Sequence, residues 1–176
     1  EQYKNALPQF EAITKSVSST SSALEQDAYA RAADCYYMQR DFAKAGTMYD
    51  AIINNALPQA DYALYQKGMI AGVKSSADKI RIMNSLAKQY PSSSLLQEAD
   101  METALTYIAD EKFGDAVPYL NKVIASSETG GLKPRAYLKL GLAYFNNNDN
   151  KNALTAYQKL IQLYPQSAEA AEALGS

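Results

Sequence analysis

The sequence predicts an all-α chain, a series of helical hairpins stacked one after another, and three observations carry that reading. Apolar residues recur at helical spacing in every segment, and no run alternates with period two. A nine-residue step from a tyrosine to an alanine occurs three times: Tyr36 to Ala45, Tyr107 to Ala116 and Tyr144 to Ala153. Around each step the residues are small where two helices would approach and large beside that point.

The stretch from Pro134 to Ser167 shows the pattern most fully. Tyr137, Leu140, Gly141 and Tyr144 share one stripe of a first helix, and Ala153, Tyr157, Leu160 and Ile161 share one stripe of a second. Gly141 and Ala153 are small where the helices would meet, the tyrosines fill the space around them, and Pro165 ends the unit.

From the start of the chain, residues 1–22 read as the second helix of a truncated repeat followed by a Ser/Thr-rich loop, with Ala6, Phe10 and Ile13 as the apolar stripe. Pro8 and Pro118 each stand two residues after an alanine of the frame, which is expected to put them in a first helical turn, where the missing N–H breaks no intrahelical bond. Ser22 with Glu25 forms a capping-box pattern before the unit 26–59. That unit has Tyr29, Ala33 and Tyr36 on its first helix, Asp41 as N-cap, and Ala45, Tyr49, Ile52 and Ile53 on the return.

Unit 61–92 diverges. Leu64, Gly68 and Ala71 precede a turn one residue short, Lys79 stands where a small residue is expected, and Met83, Leu86, Ala87 and Pro91 resume the pattern. Gly72 marks the end of its first helix, Ser75 or Ser76 the next N-cap, and the weakest packing is expected from Val73 to Lys79. Unit 97–128 holds Ala104, Tyr107, Ala116, Leu120 and Val123 in frame, and Ser94 with Gln97 predicts a capping box and a first helix longer than the others. The Gly130-Gly131 pair reads as a lengthened loop, since no strand precedes it and no Lys-Ser/Thr follows. Unit 134–167 comes next, and residues 168–176, with Leu174 and Gly175 at the places of Leu140 and Gly141, read as the start of a further truncated repeat. About nine helices of roughly 10 to 17 residues are expected.

Composition narrows the function. A net charge of −2 and a pI near 5.2 provide no basic field for nucleic acid. With no histidine, imidazole-based triads and His-containing zinc sites are excluded. The single Cys35 lies in an apolar helical pattern, where a buried structural thiol is expected. No apolar run approaches the ~20 residues of a membrane-spanning helix. The chain begins at Glu1 without a methionine or a signal-like stretch, as expected of a trimmed N-terminus. Lys74 beside Ser75 and Ser76 is accounted for by capping, Glu98, Asp100 and Glu102 do not all share a helix face, and Asn146–Asn150 has one acid and reads as a solvated turn. No catalytic residue, metal site or cofactor is therefore expected. Of the 14 tyrosines, seven (Tyr29, Tyr36, Tyr49, Tyr107, Tyr137, Tyr144 and Tyr157) fall at the aromatic positions of the frame and are expected to be packing residues.

Taken with its spacing, the Pro134–Ser167 unit resembles a tetratricopeptide repeat, a helix-turn-helix unit of about 34 residues, and the resemblance extends over nearly the whole chain. The junctions QYPSSSLLQEA and LYPQSAEAAEAL are similar to those of bacterial envelope members of that family, the outer-membrane assembly lipoproteins and the periplasmic Tol-Pal-associated coordinator. That likeness implies a periplasmic or envelope location, with the cytoplasm as the alternative. The family resemblance implies a right-handed superhelical array whose concave face, lined by first helices, receives a peptide or helix of a partner protein. At the matching frame positions stand Ala30, Asp34 and Tyr37, then Tyr65, Met69 and Gly72, then Met101, Leu105 and Ile108, then Leu138, Leu142 and Phe145. The partner-binding residues expected on this basis are Asp34, Tyr37, Tyr65, Met69, Leu105, Leu142, Phe145 and Asn146, making a mostly apolar trough with polar handles. Arg135 and Asn146 alone do not match the basic and Asn pattern by which some members clamp a C-terminal carboxylate. A different implication is a structural spacer, or an oligomerisation scaffold, within a longer envelope protein.

Overall fold

The computed structural model describes residues 2–13, 16–127 and 131–175. The chain ends Glu1 and Ser176, the Glu128 boundary and Gly130 of the Gly-Gly pair lie outside the described residues, as does the Ile13 side chain. Among the described residues there are ten α-helices and no strand: α1 (Gln2–Ile13), α2 (Ala23–Met38), α3 (Phe42–Asn54), α4 (Ala60–Gly72), α5 (Ser76–Gln89), α6 (Leu96–Ala109), α7 (Phe113–Ala125), α8 (Leu132–Asn146), α9 (Asn150–Leu163) and α10 (Ala168–Leu174). They fall into two compact units, Glu1–Ser93 and Ser94–Ser176.

In the first unit, the Ser22 hydroxyl accepts from the Glu25 N–H while the Glu25 carboxylate accepts from the Ser22 N–H, so the capping box opens α2 as expected. Asp41 caps α3 through the Lys44 N–H. The core gathers Tyr29, Ala33, Ala45, Tyr49 and Ile52, the last four of which are fully buried. Val17, from the polar loop before α2, also enters this core. Leu7 of α1 packs with Ala32 and Cys35, so the thiol is buried and pushed up by desolvation, which keeps it unreactive.

The hairpin α4/α5 resolves the divergent unit. In α2/α3, α6/α7 and α8/α9 the turn closes by an N–H reaching five residues back: Asp41 to the Tyr36 carbonyl (2.9 Å), Lys112 to Tyr107 (2.8 Å) and Asp149 to Tyr144 (2.9 Å). The residue before each donor, Arg40, Glu111 or Asn148, is left-handed, with φ of 62°, 58° and 61°. This is the Schellman closure, which glycine usually serves. In α4/α5 the Ser75 N–H reaches only four residues back, to Ala71 (3.0 Å), and no left-handed residue is present. Ser75 then caps α5. Lys79 leaves no gap, because its methylene stem lies over Gly72, where a Cβ would come within 2.7 Å of Lys79 Cδ. A bare backbone on one helix accommodates a long chain on the other.

The second unit holds the pairs α6/α7 and α8/α9 with α10 against them. Its main core joins Ala104, Ala116, Leu120, Val123, Ala136, Leu140 and Ala156, and a smaller cluster joins Leu138, Leu160 and Ala170. The expected Ser94–Gln97 capping box does not form. Leu95 is the N-cap without a side-chain bond, and Gln97 is buried, its amide donating to the Val123 carbonyl at 3.1 Å, where it satisfies an acceptor near the end of α7. The helix α6, at 14 residues, is shorter than α2 (16) and α8 (15). The prolines also lie deeper than expected, Pro8 as the seventh residue of α1 and Pro118 as the sixth of α7, so each forgoes one i→i−4 bond. Burial of Leu120 and Val123 holds α7 helical across that loss.

Two glycines test the packing in opposite directions. A Cβ on Gly68 would meet the mobile end of Met83 (Cε, 2.8 Å), whereas one on Gly141 would overlap the rigid Tyr157 ring. Gly68→Ala should be neutral or stabilising by up to about 1 kcal/mol from helix propensity, and Gly141→Ala destabilising by about 1–3 kcal/mol from overpacking. Chemical denaturation of the two variants checks this, and an equal gain in both would contradict close approach at Gly141.

Candidate functional site

In the first unit, α2 carries Asp34 and Tyr37, and α4 carries Tyr65 and Met69. Asp34 Oδ1 accepts hydrogen bonds from the hydroxyls of Tyr49 (2.6 Å) and Tyr62 (2.9 Å), and the Gln66 amide donates to the Tyr62 oxygen at 2.6 Å. The Tyr49 and Tyr62 rings meet edge to face, with centroids 6.4 Å apart. Burial pushes the Asp34 carboxyl above its ordinary value, opposed by the two phenol bonds and by Arg31. Burial, then Asp34 itself, pushes Tyr49 far upward; Tyr62 is pushed up to about 12, by burial first. The Tyr37 phenol adds to both shifts, so Asp34, Tyr37, Tyr49 and Tyr62 form one electrostatic cluster.

The signs follow by linkage. Asp34 favours folding fully below its unfolded value near 3.8 and loses that contribution as pH rises through the raised folded value. Tyr62 contributes below 10.0 and loses its contribution as pH rises towards 12.

The remaining side chains of this unit lie along the same helices. Tyr37 packs on Phe42 (ring centroids 5.6 Å apart) beside the exposed Met38 and Val73, while Tyr65 and Met69 are half-buried.

In the second unit, Leu105 of α6 is half-buried against the core. On α8, Leu142 is half-buried, Phe145 is 59% exposed, and the Asn146 amide donates to the Leu142 carbonyl at 2.9 Å, so it is engaged by its own helix. The stripe expected to lie open is closed at three of its first positions: Ala30 and Met101 belong to the cores of their units, and Leu138 is buried against Leu160 and Ala170. The reason is that each such residue lies near the middle of its helix, where the neighbouring helices of its unit cover it. In this way α10 takes up part of the stripe on α8.

Two family models described as tetratricopeptide repeat match residues 1–67 and 135–167. The two matched segments are tetratricopeptide repeats. No curated protein matches it significantly. Among solved structures, it is similar to MamA from Desulfovibrio magneticus RS-1, at 20% identity over 85% of this chain and 81% of that one, with a TM-score of 0.66. It is also similar to YrrB, described as a TPR protein with an unusual peptide-binding site, at 14% identity over 99% and 84% with a TM-score of 0.66. A third is the C-terminal part of a TPR repeat-containing protein from Cytophaga hutchinsonii, at 18% identity over 98% and 65% with a TM-score of 0.72. These likenesses show the shared fold.

The eight sequence-derived residues divide evenly, Asp34, Tyr37, Tyr65 and Met69 in one unit and Leu105, Leu142, Phe145 and Asn146 in the other. Sequence reasoning missed the bonds that Tyr49, Tyr62 and Gln66 supply around Asp34. A signal was present, since Asp34 stands where the other repeats place Met69, Leu105 and Leu142, and a half-buried acid at an apolar position needs donors. Among the described residues, no helix is long and apolar enough to cross a membrane, and no group of three or more Cys, Asp or Glu side chains is placed to hold a metal.

Removing Asp34 strands the buried Tyr49 hydroxyl. Asp34→Ala should therefore lower stability by about 1–3 kcal/mol in urea denaturation, and an unchanged midpoint would show that the Tyr49 and Tyr62 bonds carry no weight.

Proposed function

We propose that this chain is a protein-interaction module, and that the outward parts of its first helices receive an apolar or aromatic helix or peptide of a partner. The observation that carries the reading is Phe145, 59% exposed near the end of α8, with half-buried Leu142 one turn before it. A large exposed aromatic on a rigid helix is the kind of anchor that interfaces bury. Tyr37, Tyr65 and Met69 offer matching surface in the first unit, with Asp34 fixed among tyrosines as its polar neighbour. The tetratricopeptide family, and the peptide-binding site named for YrrB, support an interaction role. Leu105 and Asn146 contribute less, one by its packing and the other by its bond to the helix backbone. The two Tyr-Pro-x-Ser junctions support the bacterial envelope as the compartment, a proposal that recovery of the chain solely from the cytosol of fractionated cells would overturn.

The test begins with affinity capture using the chain as bait, followed by titration of the captured partner with Tyr65→Ala and Phe145→Ala. Each variant should remain folded by circular dichroism and bind about fivefold or more weakly, corresponding to ~1 kcal/mol. Unchanged affinity in both would remove the first-helix faces from the interface and favour a structural spacer.

A further inference from the structure

In the second unit α7 and α9 each pack on α8, and together the three line a pocket of about 180 Å³. Helical spacing builds it: Tyr137, Leu140 and Tyr144 from α8, Asn121 and Ile124 from α7, and one face of α9 that ends on Lys159. Its apolar lining includes Ile124 and Leu140. Of its polar side chains, Asn152 donates to Asp149 (2.7 Å) and Thr155 to the Lys151 carbonyl (2.9 Å), while four others are unspent. Among the described residues Lys159 makes no ion pair, and neither the Asn121 side chain nor the hydroxyls of Tyr137 and Tyr144 make a hydrogen bond. Among the described residues no Asp or Glu lines the pocket.

We propose that this pocket receives the carboxylate of a glutamate side chain carried by a partner protein. An ammonium, two phenols and a carboxamide offer an excess of donors, and a carboxylate is the acceptor-only group that side chains supply. The volume decides the size of the guest. It lies below the ~300 Å³ of ordinary small-molecule sites and suits one side chain. The apolar wall accepts the methylenes of glutamate, for which an inorganic anion has no counterpart. The pocket is distinct from the first-helix residues proposed above, since none of Leu105, Leu142, Phe145 and Asn146 lines it.

The probe is N-acetyl-glutamate N-methylamide, with N-acetyl-glutamine N-methylamide as its uncharged counterpart, titrated at matched ionic strength into the full chain and followed by amide chemical shifts. The glutamate probe should produce saturable shifts around Asn121, Tyr144 and Lys159, and the glutamine probe should bind at least about fivefold more weakly, as loss of a charge-assisted bond implies. Lys159→Met keeps the stem and removes the charge at an exposed position, so it should stay folded and weaken the glutamate probe by a similar factor. Tyr65→Ala, in the other unit, should leave the titration unchanged, which separates this site from the first-helix reading. Equal binding of the two probes, no saturable shift, or an unaffected Lys159→Met would each overturn the proposal.

Discussion

Both units depend on one contact, a small residue on the first helix of each hairpin set against a large one on the second. The contact is direct between Gly68 and Met83 and between Gly141 and Tyr157, while Ala33 shares a core with Tyr49 and Ala104 with Leu120. Tyr49 and Leu120 are fully buried and Met83 is 2% exposed, so burying each of these large side chains contributes roughly 1.5–3 kcal/mol. Where the large partner is rigid, as the Tyr157 ring is opposite Gly141, that burial is available only while the facing position stays small, because interiors are packed to crystal-like density; the flexible end of Met83 can shift away from Gly68. Size alternation across the hairpin, more than helix propensity, makes these segments pair as they do. The helices are short, and helices of such length are marginal alone in water.

The same constraint explains why the α4/α5 hairpin tolerates its departures. A turn one residue shorter brings α5 up differently against α4, and Lys79 then falls opposite Gly72. The contact remains small against large with the identities changed. In the other three hairpins, the longer turn places Arg40, Glu111 and Asn148 in a left-handed conformation that costs such residues about 1–2 kcal/mol relative to glycine, and the two N–H bonds of the closure offset the cost.

Much of this was legible in the sequence. The period-3.6 stripes, the Ser22 and Asp41 caps, the short α4/α5 turn and the close approach at Gly141 all follow from local spacing and residue size, properties a single chain displays directly. What escaped depends on partners distant in sequence. Gln97 has the spacing of a capping residue, yet its amide serves a carbonyl 26 residues away. Leu138 has the spacing of an open stripe, but α10 closes it. Asp34 reads as a surface handle until Tyr62, 28 residues on, places a hydroxyl on it. The candidate faces were legible as a set of positions. Their exposure, high at Phe145 and low at Leu138, was not, because burial is decided by neighbouring helices rather than by a residue's own spacing.

The small-against-large contact is tested most directly by a double-mutant cycle at Gly141 and Tyr157, comparing Gly141→Ala, Tyr157→Leu and the combined variant by chemical denaturation. If the aromatic ring is what excludes a side chain at position 141, shrinking it should relieve the overlap. The combined loss should then fall short of the sum of the single losses by about 1 kcal/mol or more. Additivity to within about 0.5 kcal/mol would contradict the contact as the constraint that organises the hairpins.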